Sequence, residues 1–109
     1  MAGNASGGKV QIPWYATGLR GDSLQEGLSG IARTALNYGA TAFSVTRNRE
    51  DRYKFLLTAD FSDSADFYKW WEGPEFQTFR IEYAGHFQLG VLYSWNDVVT
   101  TGSASYEQV

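Results

Sequence analysis

The chain has 109 residues, with 9 basic and 12 acidic side chains and a net charge of −3. That length allows one domain with one core, and the acidic balance excludes the basic surface that a nucleic-acid partner requires. There is no cysteine and one histidine, which excludes disulfides, thiolate metal sites and a multi-His cage but leaves a single axial haem ligand open.

Aromatic residues make up 17% of the chain (4 Trp, 7 Tyr, 7 Phe), which implies a bulky core or an aromatic-lined cavity. No apolar run approaches the ~20 residues that span a bilayer, so no membrane partner is expected. Met1–Gly8 lacks the apolar stretch of a secretory leader, so the expected compartment is the cytoplasm.

Residues 1–8 are rich in Gly, Ala, Ser and Asn and are expected to form a flexible tail. The first strand is predicted over Lys9–Thr17, with Val10, Ile12, Trp14 and Ala16 on one face and Gln11, Pro13, Tyr15 and Thr17 on the other. Pro13 cannot donate to a ladder, which argues for an edge or a bulge there. After the turn Gly18–Asp22, either Asp22 or Ser23 can cap a helix, with Glu26 completing a capping box. That helix, Leu24–Tyr38, has an apolar stripe of Leu24, Leu28, Ile31, Ala32, Ala35 and Leu36. Gly27 and Gly30 weaken it by about 1 kcal/mol each and suggest a close approach to the sheet. Gly39 ends it.

Ala40–Arg47 and Tyr53–Phe61 are predicted strands joined by a charged hairpin tip, Arg47 to Arg52, whose charges neutralise each other. A second helix starts at Ser62–Ser64 and carries Phe67, Trp70 and Trp71. Gly73-Pro74 interrupts it, and Pro74 opens a further segment to about Tyr83. His86–Trp95 is the last strand, with Phe87, Leu89, Val91, Tyr93 and Trp95 on one face. Residues 9–99 make up the domain, and 100–109 an arm or tail.

The order β-α-β-β-α-β is the split βαβ, ferredoxin-like arrangement of the α+β class: a four-stranded antiparallel sheet with two helices on one face. Neither sheet face can be nominated as polar from the sequence, and an exposed apolar sheet is rarely tolerated by a monomer. Pairing two copies through their sheet faces is therefore expected, which makes the chain its own partner in a homodimer.

On these elements the chain resembles the dimeric α+β barrel proteins related to antibiotic-biosynthesis monooxygenases. The carriers are the element order, Phe67-Tyr68-Lys69-Trp70-Trp71-Glu72-Gly73-Pro74-Glu75-Phe76 and Gln88-Leu89-Gly90-Val91-Leu92-Tyr93-Ser94-Trp95. Within that group it is similar to actinobacterial members with a Trp-Tyr-Ala-Thr-Gly opening (Trp14–Gly18) and an Asp-Arg-Tyr-Lys-Phe-Leu stretch (Asp51–Leu56). The resemblance implies a pocket between sheet and helices with Trp71 on its wall. It covers cofactor-free monooxygenases, polyketide cyclases, haem-degrading enzymes and proteins without known activity. The haem-degrading members carry a His nine or ten residues after that Trp. Arg80 and Ile81 stand there in this chain, which argues against haem by that route. An Asn that some members use on an early strand has no counterpart, which weakens the case for monooxygenase chemistry.

His86 is the one side chain that ordinarily titrates near neutrality, and as a general base it can take a phenolic proton. A junction His bonded to backbone is the plainer alternative and is favoured. Tyr15 and Tyr93 can orient a ligand by hydrogen bonds, and Tyr15 is a second candidate catalytic group. Trp14, Phe55, Trp70, Trp71, Phe76 and Tyr93 are the candidate ligand-binding aromatics, each weighed against simple core packing. Asp60 is a carboxylate candidate for a base, against a solvated surface role. No metal or organic cofactor is expected. Two functions follow: a dimer that binds an aromatic, polyketide-like small molecule, or a cofactor-independent monooxygenase or cyclase acting on a phenolic substrate.

Overall fold

A computed structural model describes residues 7–88 and 92–104. Most of the expected N-terminal tail, the middle of the last predicted strand (Leu89, Gly90, Val91) and the end of the C-terminal arm lie outside the described residues. The elements are β1 (Gly8–Tyr15), α1 (Gly21–Thr34), β2 (Ala40–Arg47), β3 (Lys54–Phe61), α2 (Ser64–Trp71), α3 (Pro74–Glu82) and β4 (Ser94–Asn96). The sheet is antiparallel throughout, in the order β2-β3-β1-β4. The α+β, ferredoxin-like arrangement read from the sequence is the one observed.

Alternation on β1 and β3 sets the core. Val10, Ile12, Trp14 and Ala16 are buried, as are Phe55, Leu57, Ala59 and Phe61, and the helices cover this side. A one-residue slip would expose every one of them, so the register Val10↔Ala59, Ile12↔Leu57, Trp14↔Phe55 is strongly specified.

The outer face corrects the expectation of a sheet apolar on both sides. It carries Lys9, Gln11, Tyr15, Ser44, Thr46, Lys54, Thr58 and Asp60, interrupted by Pro13 and Leu56. Lys9 Nζ donates to Asp60 Oδ1 at 2.7 Å, and the hydroxyls of Ser44 and Thr58 are 2.6 Å apart. Asp60 is therefore an ion-paired surface carboxylate, not a buried base.

Pro13 is not on an edge strand, because β1 lies between β3 and β4. Amides alternate along a strand: Ala16 N donates to Tyr53 O toward β3, and Thr17 N donates to His86 O on the other side. By that alternation the missing N–H of Pro13 falls on the β4 side. The pairing there is at Lys9–Gln11 with β4 and at Ala16 with Phe87, and Pro13 sits between the two stretches.

α1 begins at Gly21, a turn before the predicted start, with Arg20 at the cap and no side-chain cap bond. The capping box does not form, because Asp22 lies within the first turn and its carboxylate takes Arg47 Nη1 at 2.8 Å. Arg47 is thus neutralised by α1, and not by its neighbours in the hairpin. The helix tightens into a 3-10 turn over Ala35–Tyr38 and stops at Gly39, whose φ of 101° suits glycine. Asp63 caps α2 by accepting from Ala65 N, and Pro74 opens α3 where a missing N–H costs nothing. Gly27 gives space to the Tyr83 ring following α3 and not to the sheet, while Gly30 faces open space.

Candidate functional site

The space between sheet and helices is filled by rings. Trp70, Phe55, Phe67 and Phe76 are fully buried. The adjacent tryptophans diverge as helix geometry requires. Trp70 turns inward and its Nε1 donates to Thr34 Oγ1 at 2.9 Å, while Trp71 stays half-buried at the edge. Trp71 is 4.8 Å from Phe76, 5.3 Å from Tyr93 and 5.6 Å from Phe67, centroid to centroid. Tyr93 and Tyr68 remain 36% and 39% exposed and lie 6.0 Å apart, so the aromatic layer reaches solvent at this edge.

Arg80, on α3, joins them. Its guanidinium carbon lies 4.6 Å from the ring centroids of both Trp71 and Phe76, and its Nη2 donates to the Trp71 carbonyl at 2.8 Å. Burial lowers its pKa from the usual value, with Glu72 pulling the other way. The sequence singled out position 80 only for lacking a His. The signal for its role was its spacing, one turn beyond Phe76 on the same face of α3.

Among the predicted ligand-binding residues, Trp71, Phe76 and Tyr93 are brought together. Trp14 lies behind them, 6.3 Å from Phe76 and 5.0 Å from Phe87. Phe55 pairs with Trp14 across the sheet and carries the Arg47 guanidinium at 5.0 Å over its ring.

Tyr15 is not part of this group. It points outward, 37% exposed, and its hydroxyl donates to Asp51 Oδ2 at 2.7 Å. That bond raises the phenol pKa above its ordinary 10.0 and lowers that of Asp51. Tyr15 is thus a protonated donor at neutral pH, committed to Asp51. The Tyr93 pKa is also raised, first by Tyr68 and then by burial, so it too presents an O–H.

His86 sits half-buried in the turn after α3, 5.1 Å from the Tyr83 ring. Its backbone makes the junction bonds, Nδ1 has no hydrogen-bond partner among the described residues, and the same is true of Trp14 Nε1. The path from Trp71 to His86 runs through Phe76, Phe79 and Tyr83, at successive separations of 4.8, 5.6, 5.0 and 5.1 Å. Three rings therefore intervene between the candidate base and the exposed aromatic edge.

Other hollows lie away from this edge. A groove of about 500 Å³ between α1 and α3 is lined by Glu26, Gly30, Ile31, Glu75, Phe79 and Tyr83, among others. Another, of about 430 Å³, includes Pro13, Arg47, Lys54 and Leu56. Among the described residues no three His, Cys, Asp or Glu side chains converge as metal ligands, and no helix is long and apolar enough to cross a membrane.

No protein-family model and no curated protein sequence matches the chain. Solved structures do. A protein of Nitrosomonas europaea provisionally described as an antibiotic biosynthesis monooxygenase superposes with a TM-score of 0.78 at 11% identity, over 91% of this chain and 96% of that one. An Asn-to-Ala variant of SnoaB, a cofactor-independent oxygenase from Streptomyces nogalater, gives 0.74 at 12% identity, over 89% and 97%. A protein of Pseudomonas aeruginosa gives 0.74 at 16% identity, over 90% and 100%. The chain therefore has the fold of the antibiotic-biosynthesis-monooxygenase-like proteins.

Proposed function

We propose that the protein is a homodimer that binds a flat aromatic small molecule at the edge formed by Trp71, Tyr68 and Tyr93. The observation that carries this is the exposure of that edge. A packed aromatic layer ends in two part-exposed tyrosines and a half-buried Trp. The Trp71 ring is already covered by the Arg80 guanidinium at 4.6 Å and stacked on by Phe67 at 5.6 Å, so the surface offered to a ligand is that of Tyr68 and Tyr93. Phe76, which packs against Trp71, and Trp70 and Trp14, which pack against Phe76, form the floor behind it, while Phe55 lies apart under Arg47. The uncovered outer face of the sheet, with Pro13, Leu56 and Tyr15 among its polar groups, is the proposed dimer surface. The resemblance to actinobacterial members rests on Trp14–Gly18 and Asp51–Leu56.

A second reading, a cofactor-independent oxygenase on a phenolic substrate, draws support from SnoaB's description and from the unpartnered His86 Nδ1. The three rings between His86 and Trp71 favour binding over proton transfer at that edge, because a base must come within about 3 Å of its proton.

Titration with a neutral bicyclic aromatic such as 1-naphthamide, followed by tryptophan fluorescence and thermal shift, tests the binding. Saturable quenching that Trp71→Ala abolishes is expected. No response in the parent protein refutes it. Light scattering at micromolar concentration should return about twice the 12.2 kDa chain mass, and a monomer would remove the dimer from the proposal.

A further inference from the structure

Arg80 is a cation built into the aromatic edge, and among the described residues the ion pairs are Lys9–Asp60 and Arg47–Asp22, none of them with Arg80. Among the same residues Glu72 acts on Arg80 only at longer range, and the side chain's hydrogen bond goes to the Trp71 carbonyl. A guanidinium has five N–H donors arranged as a planar fork that fits a carboxylate or an aromatic oxyanion. Its seat over Trp71 and Phe76 fixes the fork at the ring against which the part-exposed Tyr93 also packs, 5.3 Å away.

We infer that the edge selects anionic aromatics, an aromatic carboxylate or a phenolate whose ring packs against Tyr68 and Tyr93 and whose charge meets Arg80. This rests on the proposed aromatic binding and names the class of ligand. The Tyr93 hydroxyl then acts as a donor to the ligand's remaining oxygens, and Glu72 at the rim disfavours dianions.

The matched pair 1-naphthoate and 1-naphthamide separates charge from shape. In the parent protein at neutral pH and low salt, 1-naphthoate should bind at least about tenfold more tightly than the amide, the scale of a charge-assisted bond. The preference should shrink as salt is added. Arg80→Met should bring the two affinities together while amide binding persists, and Arg80→Lys should keep part of the preference. Should Arg80→Met fail to fold, the parent's charge preference and its salt dependence still decide. Equal affinities in the parent overturn the inference and leave aromatic binding intact. Binding of neither probe overturns both.

Discussion

Two glycines one helical turn apart on α1 offer a sharp test of how α1 and α3 meet. In a helix interior Ala is favoured over Gly by about 1 kcal/mol. A Cβ added at Gly30 meets nothing within 4 Å, so Gly30→Ala should gain that amount, raising Tm by about 4–8 °C in a domain of this size. At Gly27 the added Cβ meets Cε2 and Cζ of Tyr83 at 2.6 Å, against about 3.5–4.0 Å for carbon atoms in contact. The ring must retreat by roughly 1 Å, and it is packed on both sides: stacked 5.0 Å from Phe79 and edge-on to His86 at 5.1 Å. Disturbing an aromatic pair costs about 0.5–1.5 kcal/mol, and an off-rotamer χ costs a similar amount. These losses match or exceed the helical gain, so Gly27→Ala should be neutral to about 2 kcal/mol destabilising. The two variants should thus differ by about 1–3 kcal/mol in urea unfolding. Placing Gly27→Ala in a Tyr83→Ala background should restore its gain, because the obstructing ring is gone. Equal stabilisation by both alanines in the parent would refute the packing of Tyr83 into α1.

Thr34→Val is nearly isosteric but removes the acceptor for the buried Trp70 Nε1, and it should cost about 1–3 kcal/mol in chemical unfolding. Trp70→Phe should suppress that cost in the double variant, and a Thr34→Val protein as stable as the parent would discount the bond. The pH profile of Tm should be flat around neutrality and fall at both ends. Asp22, Asp51 and Glu75 are held below their ordinary 3.8, 3.8 and 4.5 by Arg47, Tyr15 and Tyr38 respectively. A depressed folded pKa gives stability that is present above the unfolded value and lost as pH falls through the folded one. Tyr15, Tyr38 and Tyr93 are raised above 10.0, so their contribution is present below pH 10 and lost as pH rises through their folded values. Tyr38→Phe, which breaks the bond to Glu75, should flatten both limbs, and an unchanged profile would contradict the assignment.

β1 and β3 were legible because period-2 alternation names a face without knowledge of the partner. Val10-Ile12-Trp14-Ala16 and Phe55-Leu57-Ala59-Phe61 read as one side, and both are buried. The last strand, predicted over His86–Trp95, is among the described residues a three-residue strand, Ser94–Asn96, with one isolated bridge at Phe87 and His86 in a turn. Gly73-Pro74 read as a break and is one. Polar partnerships across long chain separations were not legible. Asp22 looked like a helix cap because only its neighbours in sequence are visible there, yet its partner is Arg47, 25 residues on. Tyr15 looked like a free phenol beside Trp14, yet Asp51, 36 residues away, claims it. The hairpin tip looked self-neutral, but Arg47 and Asp51 each pair outside it. Charge runs give composition, whereas the fold decides which opposite charge comes within 3 Å.

The same distinction bears on the two functional readings. An aromatic-rich sequence cannot say whether its rings are floor or wall, since both need the same residue types. The structure separates them by exposure: Trp70 and Phe76 are sealed, while Trp71 and Tyr93 hold an edge open. It also separates the one histidine from that edge by three rings. A site that joined stacking, charge and base in one place would have argued for chemistry. Here the stacking surface and the cation share Trp71, and the base has Tyr83 for its aromatic neighbour. Stacking and charge together suffice to choose a ligand, which is the reading proposed above for the residues around Trp71.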